Sequence, residues 1–334
     1  MQFGVPPFTA GFHFLPEHRP SERNRNKLEE NHGQYREADK IEYNLANNFA
    51  DKSHGYLFFD KYFRTNWYSL IFERMILNSK LMQIDLSSKK ILITGASKGI
   101  GLAIAQQVVA AGAAVVLHYR SDNESLIELQ KQYPSQKIEL VCADMNKPED
   151  VQFLWEQSVQ ALGSLTGVVL NAGIFTAHAI EDSSADWMHV WQKTMQVNLN
   201  AIGQLTHLAL QSMPDSGGGQ LVFIASRAAF RGETADYLAY AASKGGVVSL
   251  GKTVARSFGK KGMISFIVAP GFTKTQMAED FIAQAGEQKI IDELGLNELT
   301  TPSHISPVVT LMLSGAMNHA SGTTVDINAA SYMH

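Results

Sequence analysis

From about residue 84 to the C-terminus, short apolar runs rich in β-branched residues alternate with longer amphipathic stretches. The runs lie at 90–94, 114–119, 138–143, 167–171, 220–225, 264–268 and 323–327. The stretches of helical period lie at 100–111, 123–133, 148–162, 185–213, 238–259 and 302–314. An unbroken apolar run of four to eight residues reads as a strand buried on both faces. Strict alternation leaves few topologies, because each helix must carry the chain back over the sheet by a right-handed crossover before the next parallel strand begins. The expected fold is α/β, a doubly wound seven-stranded parallel sheet in three α/β/α layers. Ligands in such sheets bind beyond the carboxyl ends of the strands, where Gly95, Asn171, Ser226 and Pro270 fall.

Composition bounds the function. The chain has 334 residues and 45% hydrophobic content, and residues 82–334 are expected to form a single domain. A net charge of −4 argues against a general nucleic-acid binder, which would present a basic field. The only cysteine, Cys142, ends a strand and reads as core filler; with no intrachain partner it fits a reducing compartment. The eleven histidines show no ligand-like spacing, so no catalytic metal is expected. Residues 1–81 carry no recognisable motif. The segment 17–53 is polar and suggests disorder, and 56–77 is aromatic but interrupted by Asp60, Lys61, Arg64, Glu73 and Arg74, so it is no bilayer span. This N-terminal extension reads as sequence upstream of a true start at Met75 or Met82, as a disordered or docked extension, or as an interfacial helix.

Two motifs carry chemistry. Lys90–Thr94 runs into Gly95-Ala96-Ser97-Lys98-Gly99-Ile100-Gly101 and then a helical pattern. Gly95 can turn where a side chain would clash, Gly99 lets backbone approach a pyrophosphate, and Gly101 lets the helix sit close to the strand. The helix N-terminus then offers N–H groups to phosphates. Alone, such a turn can serve with no ligand, and its spacing departs from Gly-x-Gly-x-x-Gly. The second motif is Tyr240-Ala241-Ala242-Ser243-Lys244. Tyrosine and lysine four apart share one helix face, and an ammonium there would lower a phenol pKa from its usual ~10 toward the range where acid–base catalysis is efficient.

With Asn171-Ala172-Gly173, Asn198, Ser226 and Pro270-Gly271, these motifs stand in the order of the short-chain dehydrogenase/reductase family, which the chain resembles from about residue 84 onward. The resemblance is to 3-oxoacyl-carrier-protein reductases and their sugar, steroid and alcohol-oxidising cousins. It implies a Rossmann-like fold and NAD(P)-dependent interconversion of a carbonyl and a secondary alcohol. Leu170 stands where many relatives carry a second asparagine, and the Ser226–Tyr240 interval is one residue longer than in the commonest members.

The resemblance also implies roles. Gly95, Ser97, Lys98, Gly99, Ile100, Gly101, Asn171, Ala172 and Gly173 would line the cofactor, and Asp144 would face the adenine edge. Relatives that prefer NAD carry an acid at the end of the second strand. Here Tyr119 and Arg120 stand there, and a guanidinium suits the 2′-phosphate of NADP. With Lys98 nearby, NADP is expected rather than NAD, although Asp122 could neutralise Arg120. Ser226 would hold the substrate oxygen and Tyr240 would exchange a proton with it. Lys244 would tune Tyr240 and hold the nicotinamide ribose, and Asn198 would anchor a water leading to Lys244. Tyr237 and Asn200 lack such partners. Pro270, Gly271 and Thr275 would hold the nicotinamide carboxamide, with 276–299 as the substrate lid. Arg227, Arg231 and Lys274 could meet an acyl carrier protein or coenzyme A thioester, or be surface charges. A cytoplasmic homodimer or homotetramer built on helices 185–213 and 238–259 is implied, with 321–334 completing the substrate pocket or a neighbouring subunit's contact. A non-catalytic, NADP-binding redox sensor is the alternative from a different class.

Overall fold

The computed structural model describes residues 84–276, 278 and 286–333. The expectations for residues 1–81, and for 277 and 279–285 of the lid, lie outside the described residues. Seven strands, β1 (Lys90–Ile93), β2 (Ala114–Tyr119), β3 (Ile138–Cys142), β4 (Gly167–Leu170), β5 (Gly219–Ile224), β6 (Met263–Pro270) and β7 (Thr324–Ile327), form one sheet. Every pairing is parallel and the order is β3-β2-β1-β4-β5-β6-β7. The chain reverses its direction of travel across the sheet between β1 and β4, which is the doubly wound arrangement.

Alternate strand residues feed two cores. Leu92, Val116, Val168, Leu221 and Ile267 pack under α3 (Pro148–Leu162), α5 (Ala201–Ser212) and α7 (Leu238–Phe258). Ile91, Ile93, Val115, Leu117 and Phe266 pack under α1 (Gly99–Ala110), α2 (Glu124–Gln132) and α9 (Pro302–Ser314). Each such aliphatic side chain is worth about 1.5–3 kcal/mol of transfer from water. Burial on both faces is why the strands read as unbroken apolar runs rather than alternating ones.

The stretch 185–213 is not one helix. It divides into α4 (Ser184–Met195), a π segment (Gln196–Asn200) and α5. The widened turn accommodates Asn198, whose side chain bonds outside its own helix and is buried. Two short helices, α6 (Ala228–Arg231) and α8 (Glu287–Ile291), were too brief to show a period. In the tail, Ala329 and Ala330 hold φ of 52° and 57°, a left-handed backbone that costs a residue with a Cβ about 1–2 kcal/mol. The Ala329 carbonyl accepts the Gly295 N–H at 2.8 Å, which ties the tail to the segment after α8.

The tightest backbone approach is at the start of α1. A Cβ on Gly101 would strike the Gly95 carbonyl oxygen and lie 2.6 Å from Asn171 Nδ2. Backbone cannot rotate away as a side chain can. Gly101→Ala is therefore expected to destabilise the fold by about 1–3 kcal/mol and lower Tm by about 5 °C. An unchanged thermal melt would contradict the close approach.

Candidate active site

The site begins with the turn between β1 and α1. The buried Thr94 hydroxyl donates to Val169 O at 3.1 Å and accepts the N–H groups of Asn171 and Ala172 at 2.9 and 3.0 Å. Asn171 Nδ2 returns two bonds, to Thr94 O at 2.9 Å and Gly95 O at 3.1 Å. The ends of β1 and β4 are thus laced together at the reversal point of the sheet. Gly95 and Gly99 hold φ of 65° and 56°, where a side chain would be strained. A Cβ on Gly99 would lie 3.2 Å from Thr275 Cγ2, and Lys98 Nζ donates to Gln276 at 3.2 Å, so the loop after β6 rests against the turn. Ser97 and Ile100 are half-buried within it.

These features fit a dinucleotide on observation. Helix α1 has no acid in its first turn and no side-chain cap from Lys98, so its first N–H groups lack side-chain partners. An N-terminus of that kind accepts an anion such as a pyrophosphate. Arg120 is exposed at the end of β2. Asp122 accepts the Glu124 N–H at 3.1 Å and makes no ion pair with Arg120, so the neutralisation foreseen from their proximity does not occur. Asp144, half-buried after β3, accepts the Asn146 N–H at 3.0 Å.

At the carboxyl ends of β4 and β5, the reacting groups converge. The hydroxyl of Ser226, which accepts the Ala228 N–H at 3.1 Å, lies near enough to the phenol of Tyr240, on the first turn of α7, to lower its pKa. Lys244 is buried one turn on, with Nζ donating to Ile224 O at 2.8 Å and lying 5.8 Å from the Tyr240 ring centroid. A Cβ on Gly173 would lie 3.3 Å from Asn198 Oδ1 and 3.5 Å from Lys244 Nζ, so the backbone there passes beside both. Asn198 is fully buried. It accepts the Ile174 N–H at 2.8 Å and donates to Ile174 O and Ser243 Oγ at 2.9 and 3.2 Å.

The electrostatics differ from the expected pattern. Burial raises the Tyr240 phenol; the nearby Ser226 hydroxyl opposes this, and the charge of Glu233 adds to the rise. Lys244, whose ammonium donates to the Ile224 carbonyl, is not among the causes. The lowering foreseen from the Tyr-x-x-x-Lys spacing is therefore absent in the protein without cofactor. Burial also pushes Lys244 down, to about 8.

Other groups surround this core. Phe175 stacks on Tyr237 at 3.8 Å between centroids and meets Tyr240 edge-on at 4.8 Å. Tyr237 thus belongs to the aromatic wall of the site although it has no amine neighbour, while Asn200 is exposed and bonds Gln196. Sequence reasoning missed His178, a buried ring that accepts the Ala239 N–H at 3.2 Å next to Tyr240. A lone histidine in a loop carried no period or spacing by which to find it. Arg227 is buried, not a surface charge, with its guanidinium 5.1 Å from the Phe272 ring centroid. Arg231 pairs with Glu233 at 3.4 Å and Lys274 with Glu287 at 3.1 Å. Pro270 is buried, its carbonyl taking the Arg227 N–H at 3.0 Å, and Gly271 donates to Ile327 O at 3.0 Å. Cys142 is exposed rather than core filler, its thiol donating to Arg120 O at 3.2 Å. Among the described residues, no group of three His, Cys, Asp or Glu is placed to hold a metal ion, and no helix is long and apolar enough to cross a membrane.

A parallel doubly wound sheet with this turn, hydroxyl pair and buried lysine at its carboxyl edge defines a class, the nicotinamide-dependent oxidoreductases. Residues 89–286 match the family profile for short chain dehydrogenase. The chain is 30% identical over 252 residues to the 3-oxoacyl-[acyl-carrier-protein] reductase of Pseudomonas aeruginosa, covering 75% of this chain and 100% of that one. It is 28% identical over 257 residues to the acetoacetyl-CoA reductase of an Acinetobacter species, covering 75% and 100%. A short chain dehydrogenase from Burkholderia cenocepacia, solved in complex with NADP, superposes with TM-score 0.67 at 27% identity over 75% of this chain and 99% of that one. The chain belongs to the short-chain dehydrogenase/reductase family and is an NAD(P)-dependent dehydrogenase/reductase.

Because Lys244 is depressed in the folded protein, it binds a proton less readily there than in the unfolded chain. It therefore withholds stability at neutral pH, and that deficit vanishes as pH rises through about 8 toward the ordinary 10.5. Lys244→Met should stabilise the cofactor-free protein at pH 7 by about 1–2 kcal/mol, with the advantage shrinking by pH 10. A lower melting temperature for the variant at pH 7 would contradict the burial penalty.

Proposed function

We propose that this protein is an NADPH-dependent reductase of a 3-oxoacyl thioester or a related ketone. The observation that carries the reading is the Ser226–Tyr240 hydroxyl pair, set one helical turn from a buried Lys244 and next to the Gly173 backbone. A bound nicotinamide supplies the hydride. Ser226 holds the carbonyl oxygen and Tyr240 delivers its proton to it, so the alkoxide never forms free in solution. A raised phenol suits this direction, since the proton is in place when the oxygen needs it. Lys244 would steady the phenolate left behind and hold the nicotinamide ribose hydroxyls of a bound cofactor. Asn198 fixes the Gly173–Ile174 backbone beside Lys244. Thr275, with Pro270 and Gly271, would hold the carboxamide and Asp144 the adenine.

The choice of NADPH rests on Arg120, exposed at the strand end with no carboxylate partner. The thioester rests on the names of the two curated relatives, which act at an acyl carrier protein or coenzyme A. The aromatic wall of Phe175 and Tyr237 is compatible with an acyl chain. The pairing of Arg231 and Lys274 with carboxylates leaves the docking of a carrier to charges elsewhere. A cytoplasmic setting follows from the lone cysteine, and a homodimer or homotetramer from the family.

Tyr240→Phe should fold and bind cofactor yet lose about 10²–10⁴-fold in turnover of acetoacetyl-CoA with NADPH. Cofactor binding without turnover of any ketone or thioester by the wild type would instead favour a redox sensor. Arg120→Ala should lower kcat/KM about 10- to 100-fold with NADPH and leave NADH nearly untouched. Equal losses with both cofactors would contradict the phosphate role.

A further inference from the structure

His118 is an imidazole in the middle of an apolar strand end, and no part of the reaction uses it. It is 2% exposed, and both ring nitrogens are engaged. Nδ1 lies 2.9 Å from the Gly95 nitrogen, which donates its N–H to it. Nε2 lies 3.0 Å from the Ala143 carbonyl oxygen. A nitrogen that accepts a proton donor must carry a lone pair, and one facing a carbonyl must carry hydrogen. The two contacts together demand the neutral ring with its proton on Nε2. The His118 carbonyl also accepts the Ala96 N–H at 2.8 Å, so this one residue holds two consecutive N–H groups of the glycine turn.

The opposite side of the same turn is held by Asn171, whose amide donates to Gly95 O at 3.1 Å. Gly95 therefore has its N–H fixed from β2 and its carbonyl fixed from β4, across β1. Its φ of 65° is a conformation with no backbone ladder of its own to maintain it. We infer that neutral His118 is the positioning residue that keeps the glycine turn in its dinucleotide-binding shape, and that protonating it weakens cofactor binding.

The reasoning is one of donors. A second proton on the ring would sit on Nδ1 and face the Gly95 N–H, two donors with no acceptor between them in a sealed space. Either the proton is refused or the ring and turn separate. Burial disfavours the charged ring first; the Ala143 carbonyl and the charge of Asp144 favour it but are outweighed, so the ring titrates below its ordinary value. Among the described residues, the other ionisable groups at this end of the sheet include Lys98, turned to Gln276, Tyr119 and the exposed Arg120 and Asp122 at the end of β2, Cys142, whose thiol bonds Arg120 O, and Asp150, which accepts the Asp144 N–H at 2.8 Å. A histidine depressed in the folded state contributes stability that is whole above about 6.5 and is lost as pH falls below it. Acidification should thus loosen the turn before it unfolds the sheet.

This inference rests on the turn being the dinucleotide site, and the test separates the two. The dissociation constant of NADP⁺ for the full chain would be measured at pH 8 and at pH 5.5, for wild type and for His118→Asn. An asparagine oxygen can take the Gly95 N–H but cannot titrate. The 2′-phosphate of NADP⁺ titrates near pH ~6 in both proteins, so only the difference between them counts. The weakening on acidification is expected to be about fivefold or more greater in wild type than in the variant. Equal weakening overturns the inference. Should His118→Asn fail to fold, nitrogen-15 NMR of the wild-type imidazole decides alone. A neutral ring protonated on Nε2 at pH 7 supports it, and an Nδ1–H tautomer or a charged ring at pH 7 overturns it. Absence of NADP⁺ binding at every pH would sink the cofactor assignment, whereas the NMR result would still judge the His118 contact.

Discussion

The structure turns on how little room there is where α1 leaves β1. Gly101 has no side chain, and the Gly95 carbonyl occupies the place a Cβ would need. That approach lets the helix N-terminus stand directly over the end of β1, next to the end of β4. Thr94, Asn171 and His118 then lock the turn with hydrogen bonds from three neighbouring strands. A loop of such odd backbone angles would otherwise sample many shapes. Here its geometry is dictated by hydrogen bonds from the sheet.

The second requirement is chemical. A lysine buried with one carbonyl partner is an expensive ornament for a core, since charge is disfavoured there. Its presence beside a phenol and a hydroxyl is the kind of strained arrangement that marks a functional site. The π segment belongs to the same arrangement. By widening the helix at Gln196–Asn200 it brings Asn198 against the Ile174 backbone, next to Lys244, in a position that a regular helix would present differently. Stability is given up at Lys244, beside the place we assign to the reaction.

Much of the fold was legible because both faces of the sheet are covered. Runs such as Leu117-containing β2 and Phe223-containing β5 have no polar face to confuse them, and their limits shift by a residue or two at most. The glycine turn was legible because each glycine answers a separate steric demand. What stayed hidden depends on three-dimensional surroundings. The spacing of Tyr240 and Lys244 places them one turn apart, but it does not reveal that Lys244 is buried or that the phenol's surroundings raise rather than lower its pKa. Asn198 reads as a poor helix residue without disclosing the π segment. Arg227 reads either as a contact for an anionic substrate or as a surface cation, yet the chain buries it and folds Phe272 against it. His118 could have been noticed, as the one imidazole inside the apolar run Ala114–Tyr119, but its partners lie 23 and 25 residues away.

The central assertion is that one substrate carbonyl can touch the Tyr240 phenol and a bound nicotinamide at once. A crystal structure with NADPH and an unreactive ketone analogue tests it most directly. The account requires the substrate oxygen within hydrogen-bond reach of both Ser226 and Tyr240, and its carbonyl carbon about 3–3.5 Å from the nicotinamide carbon that carries the hydride. A nicotinamide seated away from Gly173 and Lys244, too distant for both contacts to be made by one carbonyl, would contradict it.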